Sequence, residues 1–181
     1  MTITSDPPQS TAVTIIHASA VRTGEGAFVF LGPSGTGKTT IHQLLSTAAH
    51  THTLANEAVY LIRQMDGGWK VSKADDDIYE EPPPTDEIAS RDSVPLRGIF
   101  RLFQAPAPRV RRIGALETCR YMTDALFEIA WQREYAVAIK KALFSILADV
   151  CRSVPGHELH FDLSTRTIES FRETVMKTGL H

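Results

Sequence analysis

Residues 28–45 read FVFLGPSGTGKTTIHQLL, and this stretch decides how the surrounding chain folds. The apolar run before Gly32 is typical of a short buried strand, and the pattern after Lys38 is typical of a helix. Between them, GPSGTGKT at 32–39 satisfies the spacing G-x-x-x-x-G-K-[ST] at every fixed position. A glycine-rich turn that links a buried strand to a helix N-terminus is the arrangement that cradles phosphate groups.

Each residue type in this segment, here called the P-loop (residues 32–39), has a physical reason to be there. Its glycines let the backbone bend so that successive N–H groups point at phosphate oxygens, and the helix adds its positive end. Lys38 supplies a mobile charge to the β- and γ-phosphates, and the Thr39 hydroxyl ligates Mg²⁺. We therefore predict a nucleoside triphosphate site. Its predicted residues are Gly32, Pro33, Ser34, Gly35, Thr36, Gly37, Lys38, Thr39 and Thr40.

The rest of the composition narrows the class of protein. A chain of 181 residues is long enough for one domain with a sizeable core. Its formal net charge of −2 gives no general attraction to nucleic acid or to an acidic membrane. No apolar stretch is long enough to span a bilayer, and MTITSDPPQS at the start lacks the basic and apolar parts of a secretion signal. We expect a cytoplasmic protein without nucleic-acid or membrane partners.

Working outward from the P-loop, the patterns predict one α/β domain over residues 11–181, after a disordered start at 1–10. Strands are predicted over 11–18, 27–31, 52–64, 69–73, 96–104 and 158–163. Helices are predicted from 39 to about 49, over 115–131 and 134–153, and from 168 onward. Turns or loops are predicted at 22–26, 66–68, 74–95 and 105–112. Early strands with hairpins and late helices favour a mixed sheet with packed helices.

A phosphate cradle also needs an acidic residue to complete the metal shell, and the residues alone leave three candidates open. Asp149 ends FSILAD, but its run has helical periodicity. Asp162 ends LHFD on the late predicted strand, and Glu57 begins the strand that follows the P-loop helix.

Several segments, taken in order, resemble the kinase domain of the HPr serine kinase family, which shares its nucleotide site with ATP-dependent phosphoenolpyruvate carboxykinase. They are IIHASAV, FVFLGPSGTGKTT, LANEAV, VPLRGIFRLFQAPAPRVRRI and VPGHELHFDL, which together span about residues 13–165. The resemblance implies that fold and an ATP-dependent phosphotransferase. Its acceptor would be a hydroxyl group on a protein, a peptide or a small metabolite, and the resemblance also implies a homo-oligomer.

Carried over by position, the resemblance implies a set of site residues. Lys38 and the P-loop backbone would bind ATP, and Thr39 with Glu57 would hold Mg²⁺. Asn56 falls where the family has the aspartate that acts as base toward the acceptor hydroxyl, and His17 matches the histidine that supports that acid.

In the same way, Arg97 and Gly98 match the RG of the family's signature segment, where a basic side chain can reach the transferring phosphate. Three further arginines (Arg109, Arg111 and Arg112) are candidates for contact with phosphate or an acidic partner. Arginines two apart in an extended segment point the same way, so we expect two of the three only to solvate a connector.

Two departures from the family pattern define the alternative. Asn56 is an amide, which has no usable basicity near neutral pH, and Pro95–Leu96 stand where an acidic residue precedes RG. The alternative is therefore a catalytically reduced nucleotide-binding regulatory module. A transporter ATPase or ordinary P-loop hydrolase is disfavoured, because the chain has no LSGGQ-like segment and no hydrophobic strand ending in aspartate at the usual place.

Overall fold

The computed structural model describes residues 12–48, 50–74, 85–130 and 137–178. The strands are β1 (Val13–His17), β2 (Ser19–Thr23), β3 (Gly26–Leu31), β4 (His52–Ala55), β5 (Ala58–Arg63), β6 (Trp69–Lys73), β7 (Val94–Gln104), β8 (Arg109–Ile113) and β9 (Gly156–Phe161). The helices are α1 (Lys38–Ser46), α2 (Thr85–Ser90), α3 (Ala115–Ala130), α4 (Val137–Ser153) and α5 (Thr165–Thr178). The predicted disorder at 1–10 lies outside these ranges.

The long strand β7 is the spine of the sheet. It pairs in parallel with β3 on one side and with β9 on the other, while its first two residues pair with β6 in the antiparallel sense. The remaining pairs, β1–β5, β5–β6, β2–β3, β2–β4 and β8–β9, are all antiparallel. The predicted mixed sheet with packed helices is therefore confirmed.

Strand β3 is buried on both faces, and this explains why its sequence GAFVFL has no polar residue. Val29 and Leu31 share one core with α3 and α4. Phe28 and Phe30 point the other way, into a second core that contains the apolar face of α1 and Phe171 of α5. The strand that leads into the P-loop is thus held from both sides.

The single strand predicted over 52–64 is wrong. The structure has β4 and β5 there, separated by Asn56 and Glu57, because the two halves pair with different partners: β4 with β2, and β5 with β1 and β6. The break is fixed at Glu57, whose carbonyl accepts a hydrogen bond of 3.1 Å from the Ala18 amide. It leaves two polar side chains at the end of a strand rather than inside one.

Three other predictions also need correction. The turn predicted at 22–26 is mostly strand, because β2 and β3 form a hairpin whose closing pair is Thr23 and Gly26. The connector predicted at 105–112 contains β8, an arginine-rich strand that pairs with β9. The loop predicted at 74–95 ends in α2, while its residues 75–84 lie outside the described ranges.

Within the described ranges, no helix is both long enough and apolar enough to cross a bilayer.

Replacing Phe171 by alanine tests how α5 is held. Its ring lies 5.3 Å from that of Phe100, 5.5 Å from Phe28 and 5.7 Å from Phe30, measured between centroids. We expect Phe171→Ala to lower the free energy of unfolding by about 4 kcal/mol in urea denaturation, because a buried aromatic side chain leaves a cavity. Phe127→Ala is the control, since that ring is 40% exposed and should cost about 1 kcal/mol. Equal losses would contradict this account.

Candidate functional site

The P-loop lies where the carboxyl ends of three parallel strands meet. It follows β3 directly, and the ends of β7 and β9 lie beside it at the same edge of the sheet. In open α/β sheets this edge is where ligands bind. The turn is closed by Thr36, whose amide and hydroxyl both donate to the Pro33 carbonyl, at 3.2 and 2.7 Å.

Gly37 is required by both conformation and space. Its φ of 97° lies in the left-handed region, and it precedes the first residue of α1. A Cβ placed on it would lie 2.7 Å from Cζ of Phe161, the last residue of β9. The P-loop backbone therefore packs directly on the aromatic ring that ends the neighbouring strand.

Lys38 is buried and folded back over the loop. Its Nζ donates to the carbonyl of Gly32 at 2.5 Å and to that of Pro33 at 3.4 Å. Burial lowers the pKa of Lys38, while the negative charges of Glu128 and Glu57 act in the opposite direction. The loop carbonyls thus hold the ammonium donors at the place where phosphate oxygens would accept them.

A cavity of about 310 Å³ opens beside the loop. We call it the loop cavity. Its lining residues are His17, Ser34, Gly35, Gly37, Lys38, Thr39, Thr40, Asn56, Glu57 and Gln104. The structure therefore brings together the predicted residues from β1, from the loop and from the β4–β5 turn. Gly32, Pro33 and Thr36 shape the loop without lining this cavity.

Asn56 brings an unsatisfied acceptor to the loop cavity. Its Oδ1 is buried and has no hydrogen-bond partner among the described residues. A buried acceptor without a donor is uncommon in folded proteins and marks a place where a ligand or ordered water donates. A hydroxyl group on a bound molecule would donate the hydrogen bond that Asn56 Oδ1 lacks.

His17 is the imidazole of this cavity. Its Nδ1 lies 3.6 Å from Oε2 of Glu128 on α3. Burial, followed by the positive charge of Lys38, lowers the pKa of His17, and these effects outweigh the opposing charges of Glu128 and Glu57. The ring is therefore neutral at pH 7 and able to accept a proton.

Thr39 and Glu57 fit the part of magnesium ligands. Both line the loop cavity, and both offer oxygen atoms, which Mg²⁺ prefers. Among the described residues no group of three His, Cys, Asp or Glu could hold a metal alone. Mg²⁺ is usually held by one or two protein oxygens together with substrate phosphates and water. The two side chains thus offer oxygen ligands at the cavity beside the P-loop.

The structure does not bring Arg97 to the loop cavity. In the parallel register of β3 and β7, Leu31 beside the loop pairs with Arg101, so Arg97 lies four residues earlier, about 13 Å back along the strand. Its Nε donates to the Glu25 carbonyl at 3.0 Å, at the opposite end of the sheet. Contact between Arg97 and a phosphate in the loop cavity is therefore excluded in this arrangement.

Three residues near the loop were missed by the sequence reasoning: Gln104, Arg101 and Glu128. Gln104 ends β7 and donates from Nε2 to the Gly35 carbonyl at 3.4 Å. The Arg101 guanidinium lies over the Tyr121 ring, 5.0 Å from its centroid, and its charge acts on Lys38. No motif marks these positions, because the register of β7 brings Gln104 and Arg101 to the loop and the packing of α3 brings Glu128 there.

The other two acidic candidates are engaged elsewhere. Asp149 on α4 pairs with Arg152 at 2.7 Å and with Arg63 at 3.4 Å. Asp162 accepts from the amide of Ser164 at 2.8 Å and from the Thr167 hydroxyl at 3.1 Å, which stabilises the start of α5. Neither lines the loop cavity.

Comparison with known proteins yields no match in sequence and a distant similarity in structure. No family model matches the chain, and no curated protein matches it in sequence. Among solved structures, the chain is similar to an HPr(Ser) kinase/phosphatase from Coxiella burnetii, with 10% identity and a TM-score of 0.47. The match covers 91% of this chain and 92% of that one. Such a likeness is a distant similarity of fold and does not assign an activity.

Replacing Gly37 by alanine tests the close packing of the loop. We expect Gly37→Ala to lower the free energy of unfolding by about 2 kcal/mol in urea denaturation, because it strains the backbone and displaces the Phe161 ring. Gly67→Ala is the matched control. Gly67 has φ of 84° but open space around its Cβ position, so the loss there should be about 1 kcal/mol. A smaller loss at Gly37 than at Gly67 would contradict the packing.

Proposed function

We propose that this chain is an ATP-dependent phosphotransferase that moves the γ-phosphate of Mg·ATP to a hydroxyl group. The observation that carries the proposal is that Lys38, Glu57, Asn56 and His17 line one cavity beside the P-loop, although they come from three separate places in the chain. Phosphoryl transfer depends mostly on positioning and on neutralising charge, and this cavity offers groups for both.

On the phosphate side, the P-loop amides and Lys38 would hold the β- and γ-phosphates. Lys38 would exchange the carbonyls of Gly32 and Pro33 for phosphate oxygens, which form stronger charge-assisted hydrogen bonds. Thr39 and Glu57 would hold the magnesium ion, which when bound neutralises charge on the phosphates. These groups account for nucleotide binding whether or not transfer follows.

On the acceptor side, Asn56 and His17 have different tasks. Asn56 Oδ1 would accept from the acceptor hydroxyl and orient it, since an amide cannot take the proton. In the proposed step the acceptor oxygen bonds to the γ-phosphorus, the bond from that phosphorus to the β–γ bridging oxygen breaks, and ADP leaves with the electron pair. The hydroxyl proton passes to the neutral ring of His17, which Glu128 positions.

A second candidate function is a nucleotide-binding module without transfer. The observation in its favour is Asn56 itself, because an amide lines the cavity where the resembled family has a catalytic carboxylate. In that case the P-loop would bind Mg·ATP and the bound state would serve regulation. The two candidates share the phosphate side of the site and differ only on the acceptor side.

A second cavity beside the loop cavity is the place where we propose that the nucleoside of ATP binds. A cavity of about 540 Å³, the second cavity, shares Thr40 and Gln104 with the loop cavity. The rest of its lining is mostly nonpolar: Ala105, Pro106, Phe161, Asp162 and Leu163. Leu163 is 72% exposed, which leaves its side chain available to pack on a base. We propose that base and sugar occupy this cavity.

The fate of γ-labelled ATP tests the main proposal. The acceptors would be an extract of the native host, separated afterwards into protein and small-molecule fractions. We expect wild type to label one fraction and Lys38→Ala to label none, because the phosphate charge is no longer neutralised. His17→Gln should slow transfer by about 100-fold while nucleotide affinity is kept, since it removes only the proton acceptor.

Three outcomes separate the candidates. If wild type binds Mg·ATP and labels nothing while Asn56→Asp labels a fraction, the non-catalytic module is correct. If wild type transfers and His17→Gln transfers equally well, His17 is not the proton acceptor. If Lys38→Ala binds and transfers like wild type, the assignment of nucleotide binding to Lys38 and the P-loop is wrong.

A comparison of ATP with inorganic tripolyphosphate tests the nucleoside cavity. We expect Leu163→Ser to weaken ATP binding about tenfold in calorimetry and to leave tripolyphosphate binding unchanged, because only the base contacts Leu163. Leu116→Ser is the matched control, since Leu116 is 87% exposed and begins α3, outside the second cavity. Equal affinity of wild type for ATP and tripolyphosphate would contradict the subsite while leaving the phosphate site intact.

A further inference from the structure

A larger cavity of about 780 Å³ lies at the other end of the parallel strands. We call it the basic cavity. It is formed near the start of β7, at the β8–α3 junction and at the α4–β9 junction. Arg97 lines the basic cavity, and Gln104, seven positions later on β7, lines the loop cavity; this is about 23 Å along the strand. The two cavities are therefore separate sites.

The charge of the basic cavity has one sign. Arg97, Arg112 and Arg152 line it, and none of its lining residues is an aspartate or a glutamate. The chain as a whole has a formal net charge of −2, so the positive charge of the three arginines around this cavity is a local feature and not a property of the whole chain. A cavity lined by charges of one sign concentrates the opposite ion.

The three arginines differ in the ion pairs and hydrogen bonds that they make. Arg152 pairs with Asp149 at 2.7 Å, and Arg97 uses its Nε for the Glu25 carbonyl at 3.0 Å. Among the residues that the structure describes, no carboxylate lies within ion-pair distance of the Arg112 guanidinium. Its cross-strand partner on β9 is His157. The fold thus leaves at least one full cation facing this cavity.

The remaining lining indicates an organic molecule rather than a bare ion. Leu96, Ile113 and Val154 contribute nonpolar surface, and the volume matches that of pockets for small molecules. His157 is 4% exposed, and burial together with the charge of Arg112 lowers its pKa to about 4, so the ring is neutral at pH 7. The start of α3 at Gly114 and Ala115 adds main-chain amides and a positive helix end.

We propose that the basic cavity binds a small organic phosphate, with the phosphate on Arg112 and Arg97 at the start of α3 and the carbon skeleton on the nonpolar wall. A planar guanidinium binds phosphate through two parallel hydrogen bonds, which suits an unpaired arginine at the cavity wall. This site is distinct from the nucleotide site and does not depend on the proposed transfer reaction.

Calorimetry with inorganic pyrophosphate tests the site in the full-length chain carrying Lys38→Ala, which weakens the competing P-loop. We expect pyrophosphate binding to persist in that variant and to fall about tenfold when Arg112→Gln is added, because a charge-assisted pair is lost. Arg109→Gln is the matched control. It removes an exposed arginine from the same strand, but Arg109 does not line the basic cavity.

Two results would overturn the inference. One is the absence of pyrophosphate binding once Lys38 is replaced. The other is binding that Arg112→Gln and Arg109→Gln change equally, which would show only nonspecific attraction to positive charge. Urea denaturation of each variant checks folding, and Arg97→Gln gives a second substitution at the same cavity should Arg112→Gln destabilise the chain.

Discussion

The parallel pairing of β3, β7 and β9 is the constraint on which both ends of the molecule depend. Because parallel strands run the same way, their carboxyl ends gather the P-loop, Gln104 and Phe161 at one edge. Their amino ends gather Arg97 and His157 at the other. This one topology therefore creates the glycine-rich loop with an adjoining, mostly nonpolar cavity at one end, and a cavity lined by arginines at the opposite end.

Burial on both faces turns this arrangement into a rigid support. The side chains of β3 alternate between the α3–α4 core and the core that holds α1 and Phe171. The loop then leaves β3 and packs Gly37 against Phe161 of β9. The position of the loop is therefore fixed by two cores and one glycine contact rather than by the loop alone, which is what a binding site built from main-chain donors requires.

The part of the fold that could be predicted from the sequence is the part defined by the spacing of residues close together in the chain. The buried strand, the glycine-rich turn and the start of α1 are specified within residues 26–46, and they lie where they were predicted. The split between β4 and β5 was not predictable from alternation, because each half is defined by a partner far away in the chain. Strand β8 was missed for the same reason.

The same distinction, between local spacing and contacts made across the fold, applies to the predicted site residues. Lys38 and the loop follow from the motif, and the loop cavity is lined by Asn56, Glu57 and His17 as well. Arg97 was predicted to reach the phosphate because Arg97 and Gly98 match the RG of the resembled family. Its actual position is set by the register of β7 on β3. Glu128 and Arg101 carry no motif and reach the loop only through tertiary packing. A sequence predicts the residues within one turn of a motif better than those across a sheet.

The lack of a charge at position 56 matters for the pKa of His17, because Asn56 and His17 line the same cavity. Burial and the charge of Lys38 lower the pKa of His17, while Glu128 and Glu57 act against them. A carboxylate at position 56 would add a further negative charge beside the ring and favour its protonated form. Asn56 supplies an oxygen for orientation without that charge. An amide at position 56 therefore helps to keep the His17 ring in its neutral form.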